Sequence, residues 1–414
     1  MLDLIEDRSA SVTVIGAGYV GLPLALAFAR TGFRVQVYDH DEDRIAKLKR
    51  GESYIEDVKN EELRLIDPLD FTTDRNALTA DIVIVCVPTP LNKTREPDHT
   101  AVLAAADEIV RFGKNPQLVI LESTTFPGFT REVLLPKLEV RKLDRGFWLA
   151  FSPERIDPGN KTHTIGSVPK VVGGCSKQSL ALAQAIYSTI TRVVPVSSTD
   201  TAEMTKLVEN TFRAVNIALI NEVAIMCKRL GVDTREVVDA AATKPFGFMP
   251  FYPGPGIGGH CIPIDPLYLS WKLRTLGPAP RFIELADEIN RGMPEHVVGL
   301  VAEALNDIGL AVKKSRILIV GVAYKRDISD TRESPALDII AELERRGAVI
   351  DYCDVHVPEL GGRRSTCAAG GRAWDCGVIV TDHSGQHYEL LPEMCRVVVD
   401  TRGVLRGVPG VVQL

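Results

Sequence analysis

The sequence has no long hydrophobic run and no excess of basic residues. In 414 residues, no apolar stretch approaches the ~20 residues that span a membrane, and the N-terminus MLDLIEDRSA is too acidic and polar for a secretory signal. The net charge of -6 argues against a protein that neutralises a nucleic-acid backbone. We therefore expect a cytoplasmic protein with neither a membrane nor a nucleic-acid partner.

The eight cysteines include no C-x-x-C pair, and none pairs with a histidine at the spacing of zinc ligands. We expect no structural metal and no disulfide framework, and we interpret seven of the eight as space-filling. Cys261 is different, because PGPGIGGHCIPIDP surrounds it with glycine and proline and places Asp265 four residues later. A core would pack bulk around sulfur, whereas this loop lets a large ligand approach backbone and thiol, which indicates chemistry on the sulfur.

Short apolar, β-branched runs alternate with helical patterns over the first 200 residues and again from about residue 316. Runs without polar alternation, such as SVTVIGAG and DIVIVCVP, are typical of parallel strands covered on both faces. Between the two regions, a helical period continues to Gly231 for roughly 30 residues, which predicts a long helix joining two domains. The second α/β region resembles a weak duplicate of the first without its glycines.

A G-x-G-x-x-G pattern follows the first predicted strand and opens a helix, and Asp39 closes the next strand. Gly16 suits the tight turn, Gly18 the approach of a pyrophosphate and Gly21 helix packing, while Asp39 suits the ribose hydroxyls. With Asp41 behind it, Asp39 would repel a 2′-phosphate, so NAD is favoured over NADP. The fold class is therefore α/β, with two Rossmann-like doubly wound parallel-sheet domains joined by a long central helix and a helical middle domain.

Other polar residues have two interpretations each. Lys206 and Asn210 are four residues apart on one helix face and could hold an oxyanion or a water, but spacing alone favours a solvated pair. Thr124 and Glu154 follow strands, where they suit either proton handling or helix capping. Arg44 could cover the adenine or ribose, or it could be a solvated helix residue.

A series of motifs in order across nearly the whole chain resembles the UDP-glucose/GDP-mannose dehydrogenase family: GAGYVGLPLA, CVPTP, ESTTFPG, SPERIDPGN, AEMTKLVENTFRAVNIALINE, PGPGIGGHCIPIDP and GVAYKRDISDTRESPAL. The resemblance implies an NAD-dependent enzyme that oxidises a sugar C6 hydroxyl to a carboxylate, a four-electron reaction through a thiohemiacetal and a thioester on Cys261. It implies an NAD-binding domain (1–199), a central dimerisation and catalytic-loop domain (200–312) and a UDP-sugar-binding domain (313–414). A homodimer or higher homo-oligomer is expected.

The resemblance also assigns roles by position. Lys206 and Asn210 would stabilise the developing oxyanion and hold the sugar, Asp265 and Thr124 would orient a water, and Glu154 would be the general acid/base in thioester hydrolysis. The expected cofactor-binding residues are Gly16, Gly18, Tyr19, Val20, Gly21, Asp39, Arg44, Pro88, Thr89, Ser123 and Arg332. The expected substrate-binding residues are Arg155, Lys244, Tyr252, Gly256, Gly258, Tyr324 and Lys325. Lys244 could reach the substrate site from a neighbouring subunit.

The substrate branch rests on the loop sequences. Within the family they most resemble enzymes of UDP-N-acetylhexosamines, with UDP-N-acetylglucosamine the first expectation and UDP-glucose or UDP-N-acetylmannosamine the alternatives. Pro158 and Ile264 stand where the UDP-glucose branch tends to carry glutamate and lysine. Two rival classes are a two-electron NAD dehydrogenase of the 6-phosphogluconate or hydroxyacid kind and a non-catalytic nucleotide-sugar binder.

Overall fold

A computed structural model describes residues 1–55, 58–67, 69–156, 160, 162–277, 279–367 and 373–414. The chain divides into two compact units. The first comprises Met1–Glu209 and Leu267–Gly277, and the second comprises Asn210–Pro266 and Pro278–Leu414. Among the described residues, no helix combines the length and the apolar character needed to span a bilayer.

The first unit contains an eight-stranded sheet in the order β3-β2-β1-β4-β5-β6-β7-β8. Its strands are β1 (Ser11–Ile15), β2 (Arg34–Tyr38), β3 (Leu69–Thr72), β4 (Ile82–Val85), β5 (Gln117–Leu121), β6 (Phe147–Phe151), β7 (Lys170–Gly174) and β8 (Val193–Pro195). Neighbouring strands are parallel, except that β7 runs antiparallel to β6. The carboxyl ends of β1, β4, β5 and β6 therefore meet at one edge, where an open α/β sheet gathers its ligands.

Helices connect these strands. They are α1 (Leu2–Glu6), α2 (Gly21–Arg30), α3 (Glu42–Lys49), α4 (Asn60–Leu65), α5 (Thr100–Phe112), α6 (Leu135–Leu138) and α7 (Lys177–Tyr187), with short 3₁₀ turns at Arg75–Thr79 and Glu139–Arg141 and a π turn at Thr130–Leu134. Successive strand residues enter different apolar clusters: Ile82 and Ile84 pack in one, Val83 and Val85 in the other. Because side chains alternate across a strand, the sheet is buried on both faces, which explains its unbroken apolar runs.

The long helix α8 (Thr199–Leu230) follows β8 and has 32 residues. Its first part, to Glu209, belongs to the first unit, and the remainder belongs to the second. Helices α9 (Thr234–Ala242) and α10 (Asp265–Arg274) come next. The predicted long helix ending before Gly231 is thus present.

The second unit contains a five-stranded parallel sheet in the order β10-β9-β13-β14-β15, with a small β11-β12 hairpin. Its strands are β9 (Arg316–Val320), β10 (Val349–Cys353), β11 (Glu359–Leu360), β12 (Arg363–Arg364), β13 (Trp374–Ile379), β14 (Cys395–Asp400) and β15 (Val411–Gln413). Its further helices are α11 (Arg281–Asp307), α12 (Pro335–Arg345), α13 (Leu391–Met394) and a 3₁₀ turn at Tyr388–Leu390. The predicted α/β class, with two Rossmann-like parallel sheets and a helical central region, is confirmed.

The two units share one construction at the end of their second strand. In the first, the buried Asp39 carboxylate accepts a hydrogen bond from the Ala17 backbone N–H at 2.8 Å. In the second, the buried Asp354 carboxylate accepts from the backbone N–H groups of Val322 and Ala323 at 2.7 and 3.1 Å. Each aspartate therefore fixes the turn after the first strand of its unit.

One expectation about the cysteines is wrong. Cys353, at the end of β10, forms a disulfide with Cys367, and the two Cα atoms are 4.6 Å apart. The pairing follows from the path of the chain, since the Thr366 N–H donates to the Tyr352 carbonyl and returns the chain beside β10. The other six cysteines are not in disulfides.

Candidate active site

The glycines after β1 have distinct packing roles. Gly16 has a positive φ of 102°, and a Cβ there would lie 2.7 Å from the Cys86 carbonyl oxygen. A Cβ on Gly21 would lie 2.0 Å from the Gly16 carbonyl oxygen. Gly18 is open, because a Cβ there would meet nothing within 4 Å. Packing therefore requires glycine at two positions, whereas the third leaves room for a ligand against the backbone.

Asp39 is hydrogen-bonded to the glycine loop after β1, which it was expected to flank. Its second carboxylate oxygen accepts from the Asp41 N–H at 3.0 Å, and the Arg44 guanidinium lies 3.9 Å away. A carboxylate has about four acceptor positions, so capacity for a ribose hydroxyl is left. Tyr54, which sequence reasoning missed, donates its hydroxyl to the Ala17 carbonyl at 2.5 Å, and the Arg44 guanidinium lies 5.9 Å from its ring centre. Tyr54 and Arg44 thus border the same loop.

The segments after β4 and β5 lie along the same sheet edge. The Ser123 hydroxyl donates to the Val87 carbonyl at 2.7 Å, which ties the two segments together. Pro88 is exposed and Thr89 is partly exposed. Tyr268 of α10 donates its hydroxyl to the Thr89 carbonyl at 2.6 Å. The segments after β4 and β5, which contain Pro88, Thr89 and Ser123, therefore lie next to each other.

Helix α8 anchors two strand-end loops of the first unit through glutamates. The buried Glu203 carboxylate accepts from the backbone N–H groups of Gly128 and Thr130 at 2.6 and 2.8 Å, and from the Thr130 hydroxyl at 2.6 Å. Burial raises the pKa of Glu203 to about 7, although these donors oppose the shift. The Glu209 carboxylate accepts from Nη2 and Nε of Arg155, at 2.6 and 3.3 Å. Both glutamates look like solvent-facing helix residues in the sequence, and nothing there distinguishes them.

Lys206 lies on α8 between these two anchors. It is only 9% exposed, and among the described residues its ammonium group has no hydrogen bond or ion pair. Lys206 is thus a cation that the fold holds in place without neutralising it. Thr124, partly exposed, follows β5 in the loop that Glu203 anchors.

Glu154, after β6, is bonded on both carboxylate oxygens. One accepts from the backbone N–H groups of Arg155 and Ile156, each at 2.7 Å, and the other accepts from Lys170 at 2.9 Å. Burial alone would raise the pKa of Glu154, but the charge and hydrogen bond of Lys170, together with the two N–H donors, lower it below its usual value. Glu154 is therefore a carboxylate that the protein keeps ionised.

In the second unit, three of the expected catalytic residues are connected. The Asp265 N–H donates to the Cys261 carbonyl at 2.8 Å, which fixes the loop at the start of α10. The Asn210 side-chain amide donates to the buried Asp265 carboxylate at 2.5 Å. Cys261 is a partly exposed thiol that is in no disulfide. Hydrogen bonds thus connect the backbone of Cys261, the Asp265 carboxylate and the Asn210 amide in one stretch.

The glycine loop before Cys261 packs on the segment after β9. A Cβ on Gly258 would lie 2.6 Å from the Tyr324 Cβ, and one on Gly256 would lie 3.2 Å from the Asn290 carbonyl oxygen. The Gly259 N–H donates to the Arg332 carbonyl at 3.2 Å. These close approaches, rather than flexibility, explain the glycines. Arg332 itself forms an ion pair with Asp330.

The remaining expected residues are more open. Tyr252 is 45% exposed, and its hydroxyl donates to Asp239 at 2.7 Å. Lys244 is exposed, with its ammonium 5.0 Å from the Phe246 ring centre, and Lys325 is partly exposed. Ile264 is partly exposed in the turn before α10, whereas Pro158 lies outside the described residues.

A cluster of Asp327, His356 and His383 lies in the second unit, with potential ligand atoms within 4.8 Å of one another. His383 accepts from the Asp327 N–H at Nδ1, 2.9 Å, and its Nε2 lies 3.0 Å from the Asp354 carboxylate. Both ring nitrogens are therefore engaged, which leaves no lone pair for a cation. The cluster supports the Asp354 turn.

Family models match three successive parts of the chain. They describe the NAD binding domain (residues 10–191), the central domain (200–292) and the UDP binding domain (318–407) of the UDP-glucose/GDP-mannose dehydrogenase family. A UDP-N-acetyl-D-glucosamine 6-dehydrogenase from Pseudomonas aeruginosa is 37% identical over 353 residues, 84% of this chain and 83% of that protein. A UDP-N-acetyl-D-mannosamine dehydrogenase from Methanococcus maripaludis (strain C7) is 34% identical over 416 residues, 95% of this chain and 93% of that protein.

The fold agrees with solved structures. The structure of a UDP-D-ManNAc dehydrogenase from Pyrococcus horikoshii is similar, with a TM-score of 0.89 at 31% sequence identity, covering 97% of this chain and 98% of that one. Family models and relatives thus cover most of the chain. The protein belongs to the UDP-glucose/GDP-mannose dehydrogenase family, whose members are NAD-dependent oxidoreductases of nucleotide sugars.

Proposed function

We propose that the protein oxidises the C6 hydroxyl of a UDP-N-acetylhexosamine, with UDP-N-acetylglucosamine as its best substrate, to the uronic acid. The observation that carries this proposal is the partly exposed Cys261 thiol, which is in no disulfide and lies in a glycine loop that Asp265 fixes through its N–H. An aldehyde becomes a hydride donor once a nucleophile has made it tetrahedral, and a thiolate is a strong nucleophile near neutral pH. Cys261 would form the thiohemiacetal and then the thioester.

NAD fits the loop after β1, because Gly18 leaves the backbone accessible while Gly16 and Gly21 are closed by packing. Bound there, it would accept the hydride in each oxidation. We infer that Tyr19, Val20, Asp39, Arg44, Pro88, Thr89, Ser123 and Arg332 complete its contacts. The buried Asp39 carboxylate, with Asp41 next to it, would disfavour a 2′-phosphate.

The side chains of the protein would hold and stabilise the reacting groups. The unpaired Lys206 ammonium suits a developing oxyanion, since a preformed charge in a buried setting needs no reorganisation. Asn210, through its bond to Asp265, would hold the sugar, while Asp265 and Thr124 would orient a water. Glu154, as a fixed carboxylate, would take the proton from the water that hydrolyses the thioester.

The proposed substrate site includes the glycine loop before Cys261 and the segment after β9 on which this loop packs. Gly258 allows the loop to lie against Tyr324, and Gly256 allows it to approach Asn290 and Pro335. Lys325, next to Tyr324, suits a diphosphate. Tyr252 and Arg155 are included, although Arg155 already pairs with Glu209. The matched family regions support a division of the chain into 1–199, 200–312 and 313–414.

We also propose a homodimer through α8. Phe212, Leu219, Met226 and Leu230 are 48%, 55%, 48% and 76% exposed. Their spacing places them on one helix face, and an exposed apolar stripe of this length favours a protein partner. A second copy would also bring the exposed Lys244 to the neighbouring site. Light scattering should give a dimer, and Leu219→Glu should give monomers with lower activity.

A cytoplasmic location remains part of the proposal. Six of the eight cysteines are not in disulfides, which suits a reducing compartment, with Cys353 and Cys367 as the exception. Fractionation of cells that produce the protein should recover it with cytoplasmic markers.

A substrate panel tests the reaction. UDP-N-acetylglucosamine, UDP-N-acetylmannosamine, UDP-glucose and GDP-mannose are each supplied with NAD, and NADH and the sugar product are quantified. We expect two NADH per sugar, with UDP-N-acetylglucosamine giving the highest kcat/KM. One NADH per sugar, or none with any UDP-sugar, would refute the four-electron reaction.

UDP-N-acetylmannosamine is the second candidate, because its dehydrogenases include relatives and a solved structure that cover nearly the whole chain. Higher kcat/KM with that sugar would select it. In either case Cys261→Ser should lose uronic acid formation, whereas Cys227→Ser, a buried thiol on α8, should retain it. Full turnover by Cys261→Ser would instead favour a two-electron dehydrogenase.

A further inference from the structure

Four polar side chains from different elements meet beneath the loop that carries Glu154. Lys170, the first residue of β7, is 5% exposed, and its ammonium lies 2.9 Å from carboxylate oxygens of both Glu122 and Glu154. Glu122 follows β5 and is fully buried, while the Glu154 side chain is 12% exposed. Tyr187, the last residue of α7, donates its hydroxyl to Glu122. One lysine thus bridges two carboxylates in the interior.

The two carboxylates differ in their surroundings. Glu154 has two backbone N–H donors besides Lys170, and its pKa is lowered as described above. Among the described residues, Glu122 accepts only from Lys170 and the Tyr187 hydroxyl, and burial raises its pKa to about 7, with repulsion from Glu154 adding to the shift. Breaking a buried ion pair leaves an uncompensated charge. Lys170 therefore holds Glu154 as its ionised partner, because Glu154 has the two backbone donors as well.

We propose that Lys170 is a positioning residue for thioester hydrolysis, which holds Glu154 as a fixed, ionised carboxylate. This inference rests on the proposed function, since it assigns Glu154 the proton of the attacking water. The water oxygen bonds to the acyl carbon, its proton passes to the carboxylate, and the carbon–sulfur bond breaks to leave the Cys261 thiolate, which then regains a proton.

The groups facing the bridge are few among the described residues. Besides Tyr187, the buried Cys86 thiol after β4 interacts with both carboxylates and with Lys170. Arg155 is adjacent in sequence but is paired with Glu209. Lys170 is therefore the cation on which the ionised state of Glu154 depends.

The test follows the covalent Cys261 adduct. Full-length wild type, Lys170→Met, Lys170→Arg and Glu122→Gln are each mixed with UDP-N-acetylglucosamine and NAD, quenched with acid at intervals and weighed as intact protein. The rate at which the adduct decays is measured from pH 5 to 9. In wild type, the ionised form of Glu154, which accepts the proton of the water, should persist to low pH. Decay of the adduct should therefore persist to low pH as well.

In Lys170→Met, loss of the cation should raise the pKa of Glu154 by about one to three units, as for an opposite charge in contact. Decay should then slow on the acid side of the profile, by up to about tenfold at pH 6 for a shift of three units, recover toward pH 9, and be rescued by Lys170→Arg. Glu122→Gln keeps the Lys170–Glu154 pair, and because Glu122, with a pKa of about 7, is already neutral where Glu154 titrates, its decay profile should match that of wild type at pH 6. A purely structural role of the bridge would slow both variants without moving the acid limb of the profile.

If Lys170→Met does not fold, Lys170→Met combined with Glu122→Gln removes the cation without leaving two buried carboxylates together, and the same slower decay at low pH is expected. Lys114→Met is the matched control, since Lys114 pairs with Asp81 near the surface of the same unit. An unchanged decay profile after loss of the Lys170 cation, or the same shift in Glu122→Gln as in Lys170→Met, would overturn the inference. If wild type forms no adduct and no NADH, the proposed function fails instead.

Discussion

Glu203 gives the sharpest test of how the loop after β5 is held. Its carboxylate is 1% exposed and accepts from two backbone N–H groups, of Gly128 and Thr130, and from the Thr130 hydroxyl. Glu203→Ala removes all of these acceptors at once. The hydroxyl can rotate to another partner, but the two backbone donors are fixed in the interior, so the loop is left with two unsatisfied N–H groups.

The expected loss can be worked out from those donors. Each buried unsatisfied donor costs about 1–3 kcal/mol, so Glu203→Ala should lower the free energy of unfolding by on the order of 4 kcal/mol. For a unit of this size, that corresponds to a fall in Tm of roughly 8–16 °C. Glu203→Gln keeps one oxygen for Thr130 but turns its NH₂ toward the Gly128 N–H, so about half the loss is expected.

Thermal unfolding of the full chain measures both variants. Glu52→Gln serves as the control, because Glu52 pairs with Arg50 at the surface and its loss should leave Tm unchanged. Since Ser123 and Thr124 precede the anchored segment, Glu203→Gln should also raise KM for NAD. If Glu203→Ala melts within about 2 °C of wild type, the carboxylate is not the anchor of the loop.

Three further outcomes are expected. Burial lowers the pKa of His99 to about 4. As pH falls, His99 therefore binds a proton in the unfolded chain before it does so in the folded chain, and stability on the order of 3 kcal/mol should be lost between about pH 6.5 and pH 4. His99→Phe should remove that part of the acid sensitivity in thermal melts at pH 5 and 8. Gly21→Ala should abolish NAD binding in calorimetry, because its Cβ would overlap the Gly16 carbonyl oxygen, whereas Gly32→Ala, with open space but a φ of 95°, should cost only stability. Cys353→Ser should lower the free energy of unfolding by about 3 kcal/mol, the value for a loop of this length, and a reductant should have no additional effect on this variant.

The sequence predicts the elements whose residues repeat a pattern. Strands β1, β4 and β5 are largely apolar along their length, and α8 repeats a helical period, because successive residues of each element meet the same kind of surroundings. A local stretch of sequence is therefore enough to identify these elements. The glycine pattern after β1 is equally local, since Gly16 and Gly21 meet backbone within the same strand–turn–helix unit or its neighbouring strand. Such features are visible without the rest of the fold.

The interactions that sequence reasoning missed depend on residues far apart in the chain. Lys170 begins a strand that reads as polar at its start, and only the antiparallel turn of β7 places it between Glu122 and Glu154. Glu203 fits the solvent-facing pattern of a helix, yet it accepts from a loop 73 residues earlier. The Cys353–Cys367 disulfide likewise follows the return of the chain beside β10. Burial of one charged residue cannot be deduced until its partner is located.

The charged pairs of the first unit have a common location, which bears on what α8 does. Glu203 holds the loop after β5, Glu209 holds Arg155 after β6, and Lys170 holds Glu154 in the same segment. Loops at the edge of a parallel sheet lack the ladder bonds that fix strands, so a charged acceptor is an effective way to fix their N–H groups. Lys206 lies three residues from both glutamates of α8, and because each glutamate has its own donors, neither pairs with Lys206 in the described part of the chain.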